Sequence, residues 1–198
     1  MRAFRRLSFV PTTTAVVIAL AILSVAQTAE QEKSPKTSPK ISIKNFGSLN
    51  DTFYRGAQPK DQDYADLAAM GIKTVIDLQR GGHEEEQGLV EAQGMKFYRI
   101  PMSDSSQPEP GQADEFLKIV NDPANHPVFV HCAGGRHRTG AMSAIYRITR
   151  DGWSADQAFL EMKRYDFEYG MGHGSLKRYV YEFFSKLEEK PVVADTNK

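Results

Sequence analysis

The chain has 198 residues, of which 40% are hydrophobic and 25% are charged, a composition typical of one globular domain with terminal extensions. Its 25 basic residues equal its 25 acidic residues, so no excess positive charge would attract nucleic acid, and we expect no nucleic-acid partner. Any affinity for anions must therefore be local. The single cysteine, Cys132, excludes an intramolecular disulfide framework. We expect the domain to act as a monomer.

Residues 1–26 have the pattern of a secretory signal peptide. A start rich in arginine precedes an apolar run at residues 15–23, and the small residues Ser24 and Ala26 offer a cleavage site. The apolar run is short for a membrane span, which takes about 20 residues, but an uncleaved membrane anchor is the alternative. We therefore expect export to the periplasm or cell surface, with a membrane tether if the segment is retained.

Residues 27–40 are predicted to form a flexible linker, because they lack aromatic and branched apolar residues and repeat a Ser-Pro-Lys unit. The folded domain is predicted at residues 41–190, and residues 191–198 are predicted to be a disordered tail. No internal repeat and no second linker divides the domain.

Within residues 41–190, apolar patterns typical of strands and of helices alternate along the sequence. This order predicts an α/β fold with a central, mostly parallel or mixed sheet of four to five strands flanked by helices. The predicted strands are 41–46, 53–55, 72–78, 96–100 and 128–131. The predicted helices are 61–70, 84–93, 112–120, 139–150, 154–165 and 175–188.

The segment PVFVHCAGGRHRTGAMSAIY predicts a strand, a glycine-rich turn and a helix. Such a turn directs successive backbone N–H groups into one concavity at a helix N-terminus, where the helix dipole also favours negative charge. A nucleotide loop of the Walker type needs a lysine before its Ser or Thr, and no lysine occurs here. The residues whose backbone we expect to bind phosphate are Ala133, Gly134, Gly135, Arg136 and His137.

The side chains around this turn predict nucleophilic chemistry. Cys132 opens the turn at a helix N-terminus that should favour its thiolate, and Arg138 offers a planar fork that binds two phosphate oxygens. The Thr139 hydroxyl could donate to the sulfur when it departs from phosphorus. We expect His131 to face inward and to fix the loop backbone by hydrogen bonding. A thiolate in such a site can attack phosphorus.

The sequence HCAGGRHRTG matches at every fixed position the HCxxGxxR[ST] signature of the protein tyrosine and dual-specificity phosphatase superfamily. FYRGAQP and GIKTVIDL also resemble the opening segments of its bacterial dual-specificity-like branch, so the resemblance covers about residues 46–187. It implies hydrolysis of phosphate monoesters through a phosphocysteine intermediate, with no metal and no cofactor. The implied substrates are phosphotyrosine, phosphoserine or phosphothreonine in proteins, a phosphoinositide or an inositol phosphate.

The superfamily requires a general acid that protonates the leaving oxygen, normally an aspartate on a mobile loop before the cysteine. Asp104 fits this role, because it lies on a loop of serine, proline and glycine after the predicted strand 96–100. Glu109 on the same loop is the reserve, whereas Asp77 at a strand end is predicted to be structural. The alternative for Asp104 is an ordinary solvated position.

Arg136 and His137 occupy two variable positions of the signature, where they could make the site cationic enough for a multiply phosphorylated substrate. Alternatively, Arg136 faces solvent or pairs with a nearby acid, and His137 tunes the thiolate. The acidic run at 84–86 is predicted to be a solvated face, and His173 either connects helices or approaches the pocket. The competing functions are a rhodanese-like sulfurtransferase and a non-catalytic phosphate-binding module.

Overall fold

The computed structural model describes residues 41–168, 170 and 172–189, so the predicted signal segment, linker and tail lie outside the described residues. Within them, the strands are β1 (Gly47–Asn50), β2 (Phe53–Ala57), β3 (Thr74–Gln79), β4 (Lys96–Met102) and β5 (Val128–Cys132). The helices are α1 (Asp63–Ala69), α2 (Glu86–Ala92), α3 (Gln112–Asn121), α4 (His137–Asp151), α5 (Ala155–Arg164) and α6 (Gly174–Glu188). A 3-10 turn at Pro123–Asn125 precedes β5.

The strands form one sheet in the order β1-β2-β5-β3-β4. β1 is antiparallel to β2, and every other neighbouring pair is parallel. This arrangement confirms the predicted α/β fold with a mixed sheet. Because β2, β5 and β3 run in the same direction, their carboxyl ends meet at one edge, where Ala57 pairs with Cys132.

Each face of the sheet is covered by its own apolar cluster. Val128 and Val130 of β5 face a cluster built with residues of α3, α4, α5 and α6, whereas Phe129 faces a second cluster that includes Tyr64 and Leu67 of α1. Burial of each such side chain contributes about 1.5 to 3 kcal/mol. The central strand is therefore held rigidly from both sides, and the loop that follows it starts from a fixed point.

The strand predicted at residues 41–46 is wrong. These residues run through a turn, and the first strand begins at Gly47. Ile43 is buried in the second cluster without pairing as a strand, and Asn45 adopts a positive φ of 53°. The apolar alternation that suggested a strand thus reflects burial of an irregular segment. No helix within the described residues is long and apolar enough to span a bilayer.

Candidate active site

The glycine-rich turn joins the end of β5 to the start of α4. Cys132 is the last residue of β5 and is 2% exposed, and α4 begins at His137. Gly135 has a φ of 65°, and a Cβ atom there would lie 2.5 Å from the backbone nitrogen of Ala57. A side chain at this position would therefore displace the loop from β2, so glycine is required.

The surroundings of Cys132 favour its thiolate. Burial raises the pKa of the thiol, but the nearby Thr139 hydroxyl and backbone N–H, the Arg138 charge and the Gly135 backbone N–H lower it, and the net shift is downward. Hydrogen bonds donated to the charged form act in the direction expected for a catalytic cysteine. The structure thus brings the predicted Cys132, Arg138 and Thr139 together.

Arg138 links the loop to the end of β4. Its Nη1 donates to the carbonyl of Met102 at 3.4 Å, while its buried Nε has no hydrogen-bond partner among the described residues. A guanidinium that is anchored at one nitrogen and unpaired at another can bind oxyanion oxygens without reorganising. This geometry agrees with the phosphate-binding role predicted for Arg138.

The loop that carries Asp104 is hydrogen-bonded to residues at the N-terminus of α6. His173 donates from Nδ1 to the Asp104 carbonyl at 2.8 Å, and the Ser175 hydroxyl donates to the Ser105 carbonyl at 2.5 Å. The His173 ring also stacks on His137, with centroids 3.6 Å apart and planes 12° apart. His173 therefore contacts both the Asp104 loop and the residue that follows the glycine-rich loop. The sequence alone did not decide between this role and that of a simple connector between helices.

His137 is neutral at physiological pH. Burial, together with the neighbouring His173, Arg136 and Arg138, lowers the pKa of its imidazole to about 4, against the opposing effect of Glu168. An uncharged ring can stack closely on His173 without charge repulsion. The His137 contact is thus available over the whole physiological pH range.

Glu109, the second candidate for the general acid, forms an ion pair with Arg80. Its Oε1 accepts a hydrogen bond from Arg80 Nη2 at 2.7 Å, and both side chains are more than half exposed. Asp104 is exposed on the same loop, at the end held beside His137. His173 thus links the Asp104 main chain to His137, whereas Glu109 pairs with Arg80.

A cavity of about 390 Å³ adjoins the glycine-rich loop. It is lined by Lys44, Asn45, Ala57, Ala133, Gly134, Arg136 and Asp166. No ion pair involving Arg136 occurs among residues 41–168, 170 and 172–189, although Asp166 also lines the cavity. The cavity therefore presents two cationic side chains beside the loop.

His131 contacts carboxylates and not the loop backbone, contrary to the prediction. Its Nε2 lies 2.8 Å from Glu86 Oε1, its Nδ1 lies 3.9 Å from Asp77 Oδ1, and all three side chains are fully buried. Because parallel-sheet side chains alternate between faces, His131 points away from the face occupied by Val130 and Cys132. It thus supports the end of β5 from the opposite side of the sheet.

Glu86 is buried, so its predicted place in a solvated acidic face is wrong. Burial raises the pKa of this carboxyl, but hydrogen bonds from His131, Tyr64 and Gln58 lower it to about 2. Arg99 lies 3.5 Å from Glu86 and 2.9 Å from Asp77. The carboxylate is therefore ionised within a compensated buried network.

Asp77, Glu86 and His131 also form the one described cluster with metal-ligand geometry, their donor atoms lying within 4.8 Å of one another. Both carboxylates already contact Arg99, and Glu86 also accepts a hydrogen bond from the Tyr64 hydroxyl at 2.8 Å. A cation would compete with these partners. We therefore assign the cluster to support of β5.

Sequence reasoning missed two residues that hold the loop from outside. The Asn45 side-chain amide donates to the Gly134 carbonyl at 2.9 Å, and a guanidinium N–H of the buried Arg55 donates to the Gly135 carbonyl. The one available signal was a charged residue within the apolar strand FYRGA. Asn45 carried no signal, because its contact depends on how the chain folds back.

The family model described as DSP-PTPase phosphatase fused to NAD+ kinase matches residues 28–176, which is most of the chain. The chain belongs to this family. Inositol diphosphatase SIW14 of Saccharomyces cerevisiae is 28% identical over 133 residues, which cover 64% of this chain and 47% of the yeast protein. The probable tyrosine-protein phosphatase DG1060 of Dictyostelium discoideum is 28% identical over 158 residues, covering 77% of this chain and 90% of that protein.

Solved structures agree with the DSP-PTPase fold. The crystal structure of Pseudomonas aeruginosa TpbA superposes with a TM-score of 0.61 at 24% identity, covering 78% of this chain and 98% of that chain. This likeness establishes the architecture of the domain. The chain spans less than half of the SIW14 length, at 47%.

Proposed function

We propose that this member of the DSP-PTPase family is a phosphatase that hydrolyses phosphate monoesters through a phosphocysteine intermediate at Cys132. The observation that carries the proposal is the buried thiol at the start of a turn that leads into α4, with Thr139 and the Arg138 charge lowering its pKa. The thiolate is the nucleophilic form of cysteine, so this environment prepares the sulfur for attack.

In the first step, Sγ of Cys132 forms a bond to phosphorus while the bond from phosphorus to the ester oxygen breaks, and Asp104 donates a proton to that oxygen. Arg138 and the loop N–H groups bind the non-bridging oxygens and stabilise the charge of the transition state. In the second step, water attacks phosphorus and gives its proton to Asp104. The thiolate then leaves while the Thr139 hydroxyl donates to it.

Two observations support Asp104 as the general acid. Its backbone carbonyl is held by His173, which stacks on His137 at the glycine-rich loop, so the Asp104 loop is anchored beside the nucleophile's loop. The competing carboxylate, Glu109, is bound to Arg80. A loop that is exposed yet tethered at one end can reach a bound substrate and protonate its leaving oxygen.

A second candidate function is hydrolysis of an inositol polyphosphate or diphosphate. Lys44 and Arg136 line the cavity beside the loop and offer cationic groups to a phosphate other than the one that reacts. The name of the yeast relative, an inositol diphosphatase, agrees with this chemistry. Phosphotyrosine and phosphoserine proteins remain the first candidate, in line with the tyrosine-protein phosphatase of Dictyostelium.

Export is a further part of the proposal. The basic start, the apolar run at 15–23 and the small residues Ser24 and Ala26 support removal of residues 1–26 and a periplasmic or cell-surface location. Fractionation of bacteria that express the full chain, with mass analysis of the product, tests this. A full-length product in the membrane fraction would instead favour an anchor, and one in the cytoplasm would contradict export.

The experiment that tests the activity measures phosphate release from phosphotyrosine and phosphoserine peptides, phosphoinositides and inositol polyphosphates, with Cys132→Ser as the control. We expect activity that the control lacks, together with a phosphoenzyme trapped by acid quench and detected by mass spectrometry. Activity retained by Cys132→Ser would refute the mechanism. Binding without turnover would favour the phosphate-binding module, and sulfur transfer from thiosulfate would favour the sulfurtransferase.

A further inference from the structure

Arg55 is a buried cation without a carboxylate partner among the described residues. It lies on β2 opposite Val130 of β5 and is fully buried. One guanidinium nitrogen, Nη2, donates to the Gly135 carbonyl, whereas Nε and Nη1 have no hydrogen-bond partner in the described part of the chain. Burying a charge without a carboxylate partner lowers the stability of the fold, so we expect Arg55 to have a functional role that explains its presence.

The groups around Arg55 identify that role. Its Cζ lies 3.9 Å from the centroid of the Tyr165 ring, which provides a cation–π contact. Burial lowers the pKa of the guanidinium and Tyr165, Cys132 and Glu161 oppose it in part, so that the pKa is about 10. Arg55 therefore stays protonated at neutral pH. Glu161 is bound to Arg147 at 2.8 Å. Arg55 pairs with Val130, and Cys132 is two residues further along β5 on the same face of the sheet, so the sulfur is a diagonal cross-strand neighbour of Arg55.

Peptide geometry explains the contact with Gly135. The C=O of residue 135 and the N–H of residue 136 belong to one trans peptide unit, so they point in opposite directions. When Arg55 binds the Gly135 carbonyl on the outside of the loop, the Arg136 N–H is directed to the inside.

The neighbouring peptide unit shows the same arrangement. Asn45 donates to the Gly134 carbonyl at 2.9 Å from outside, and the Gly135 N–H of that unit helps to lower the pKa of the Cys132 thiol. An external donor thus holds each of two successive carbonyls. Because the loop contains two adjacent glycines, its peptide units would otherwise rotate easily.

We infer that Arg55 is a positioning residue of the phosphate loop, which directs the Arg136 N–H toward bound phosphate and places a buried positive charge beside the Cys132 thiolate. This inference rests on the proposed function in so far as the loop binds phosphate. Arg138 faces the same sulfur from α4, so the thiolate would be stabilised by one cation that touches substrate and one that does not.

The test compares Arg55→Met, which removes the charge, with Arg55→Lys, which keeps the charge but loses the planar fork. The pKa of Cys132 is read from the pH dependence of alkylation by iodoacetamide. Affinity for phosphate and tungstate is measured by calorimetry in the Cys132→Ser background. Arg164→Met is the matched control, because it removes an exposed arginine next to Tyr165 in the chain.

Arg55→Met should raise the thiol pKa by about one unit, which lowers the alkylation rate about tenfold at pH values below the pKa. It should also weaken phosphate and tungstate binding by roughly tenfold or more, as expected for loss of one charge-assisted hydrogen bond. Arg55→Lys should leave the thiol pKa near the wild-type value but weaken anion binding. Arg164→Met should change neither quantity.

Wild-type thiol pKa and wild-type anion affinity in a folded Arg55→Met protein would overturn the inference, as would equal shifts in Arg164→Met. If Arg55→Met does not fold, Arg55→Lys decides, because unchanged anion affinity there refutes the positioning role. Neither readout needs turnover. Absence of phosphatase activity in the wild-type protein would therefore refute the proposed function alone. The thiol pKa and the anion affinity would still test the positioning role of Arg55.

Discussion

Replacing His173 by alanine should slow turnover of substrates with poor leaving groups and leave activated substrates almost unaffected. His173 donates a hydrogen bond to the Asp104 carbonyl at 2.8 Å and stacks on His137. Its loss would free one end of the Asp104 loop without removing any group that binds phosphate. The effect should therefore be confined to the step that needs a proton on the leaving oxygen.

The size of the effect follows from the two contacts. An exposed hydrogen bond contributes about 1 kcal/mol, and an offset or parallel ring contact contributes about 0.5 to 1.5 kcal/mol. If both contacts favour the loop conformation that brings Asp104 to the substrate, their loss reduces the population of that conformation by roughly tenfold to fiftyfold, since 1.4 kcal/mol is a factor of ten. The rate for a substrate that depends on the acid should fall by the same factor. Aryl phosphates with strongly acidic phenols should lose less than about twofold.

The assay measures kcat and kcat/KM for a series of aryl phosphates whose leaving phenols differ in pKa. His173→Asn keeps a side-chain amide near the Asp104 carbonyl but loses the ring, and His173→Phe keeps the ring but loses the donor. Each should recover part of the rate that His173→Ala loses. These two variants therefore separate the hydrogen bond from the stack.

A double-mutant cycle with Asp104→Asn gives the decisive comparison. If His173 acts through Asp104, the substitution His173→Ala should have almost no effect once the acid is removed. An equal loss for all leaving groups, or a full loss in the Asp104→Asn background, would refute the reasoning. It would show that His173 supports the glycine-rich loop instead.

Three further predictions concern single residues. Asp104→Asn should slow poor leaving groups about 10²-fold or more, and unchanged rates at every pH would remove its assignment as the acid. As the pH falls from 6.5 to 4, unfolded His137 takes up a proton that the folded state excludes; wild type should therefore lose thermal stability in that window more steeply than His137→Asn. Glu86→Gln should lower the free energy of unfolding by about 1 to 3 kcal/mol in urea titrations, because it removes the carboxylate 2.8 Å from His131 and leaves Asp77 to compensate Arg99; a value near zero would contradict the buried network.

The sequence predicted the parts of the site that depend on local order. Cys132, Arg138 and Thr139 stand at fixed spacings across one strand, turn and helix, so their proximity follows from the turn itself. The alternation of strands and helices along the chain and the loop of Asp104 were likewise accessible from apolar periodicity and turn residues. The helix α4 begins two residues earlier than predicted, because the turn closes directly into the helix at His137.

Contacts between distant segments could not be read from periodicity. Glu86 sits in a run of three glutamates that looks solvated, and its burial is decided by His131 on a strand far along the chain. His173 follows a glycine-rich connector, and its role depends on how α6 meets two loops. The false strand at 41–46 has the same origin, since burial of Ile43 gives the alternation of a strand without a pairing partner.

The same distant contacts explain how so glycine-rich a loop can serve as a rigid anion site. Gly135 permits the close approach to β2, but Gly134 and Gly135 together also leave the peptide units free to rotate. Asn45 and Arg55 hold two carbonyls from the N-terminal part of the domain, and His173 contacts the loop from the C-terminal part. Order in the loop is therefore imposed from outside the signature. Substitutions at these supporting positions should change anion affinity and acid catalysis while every residue of the signature is retained.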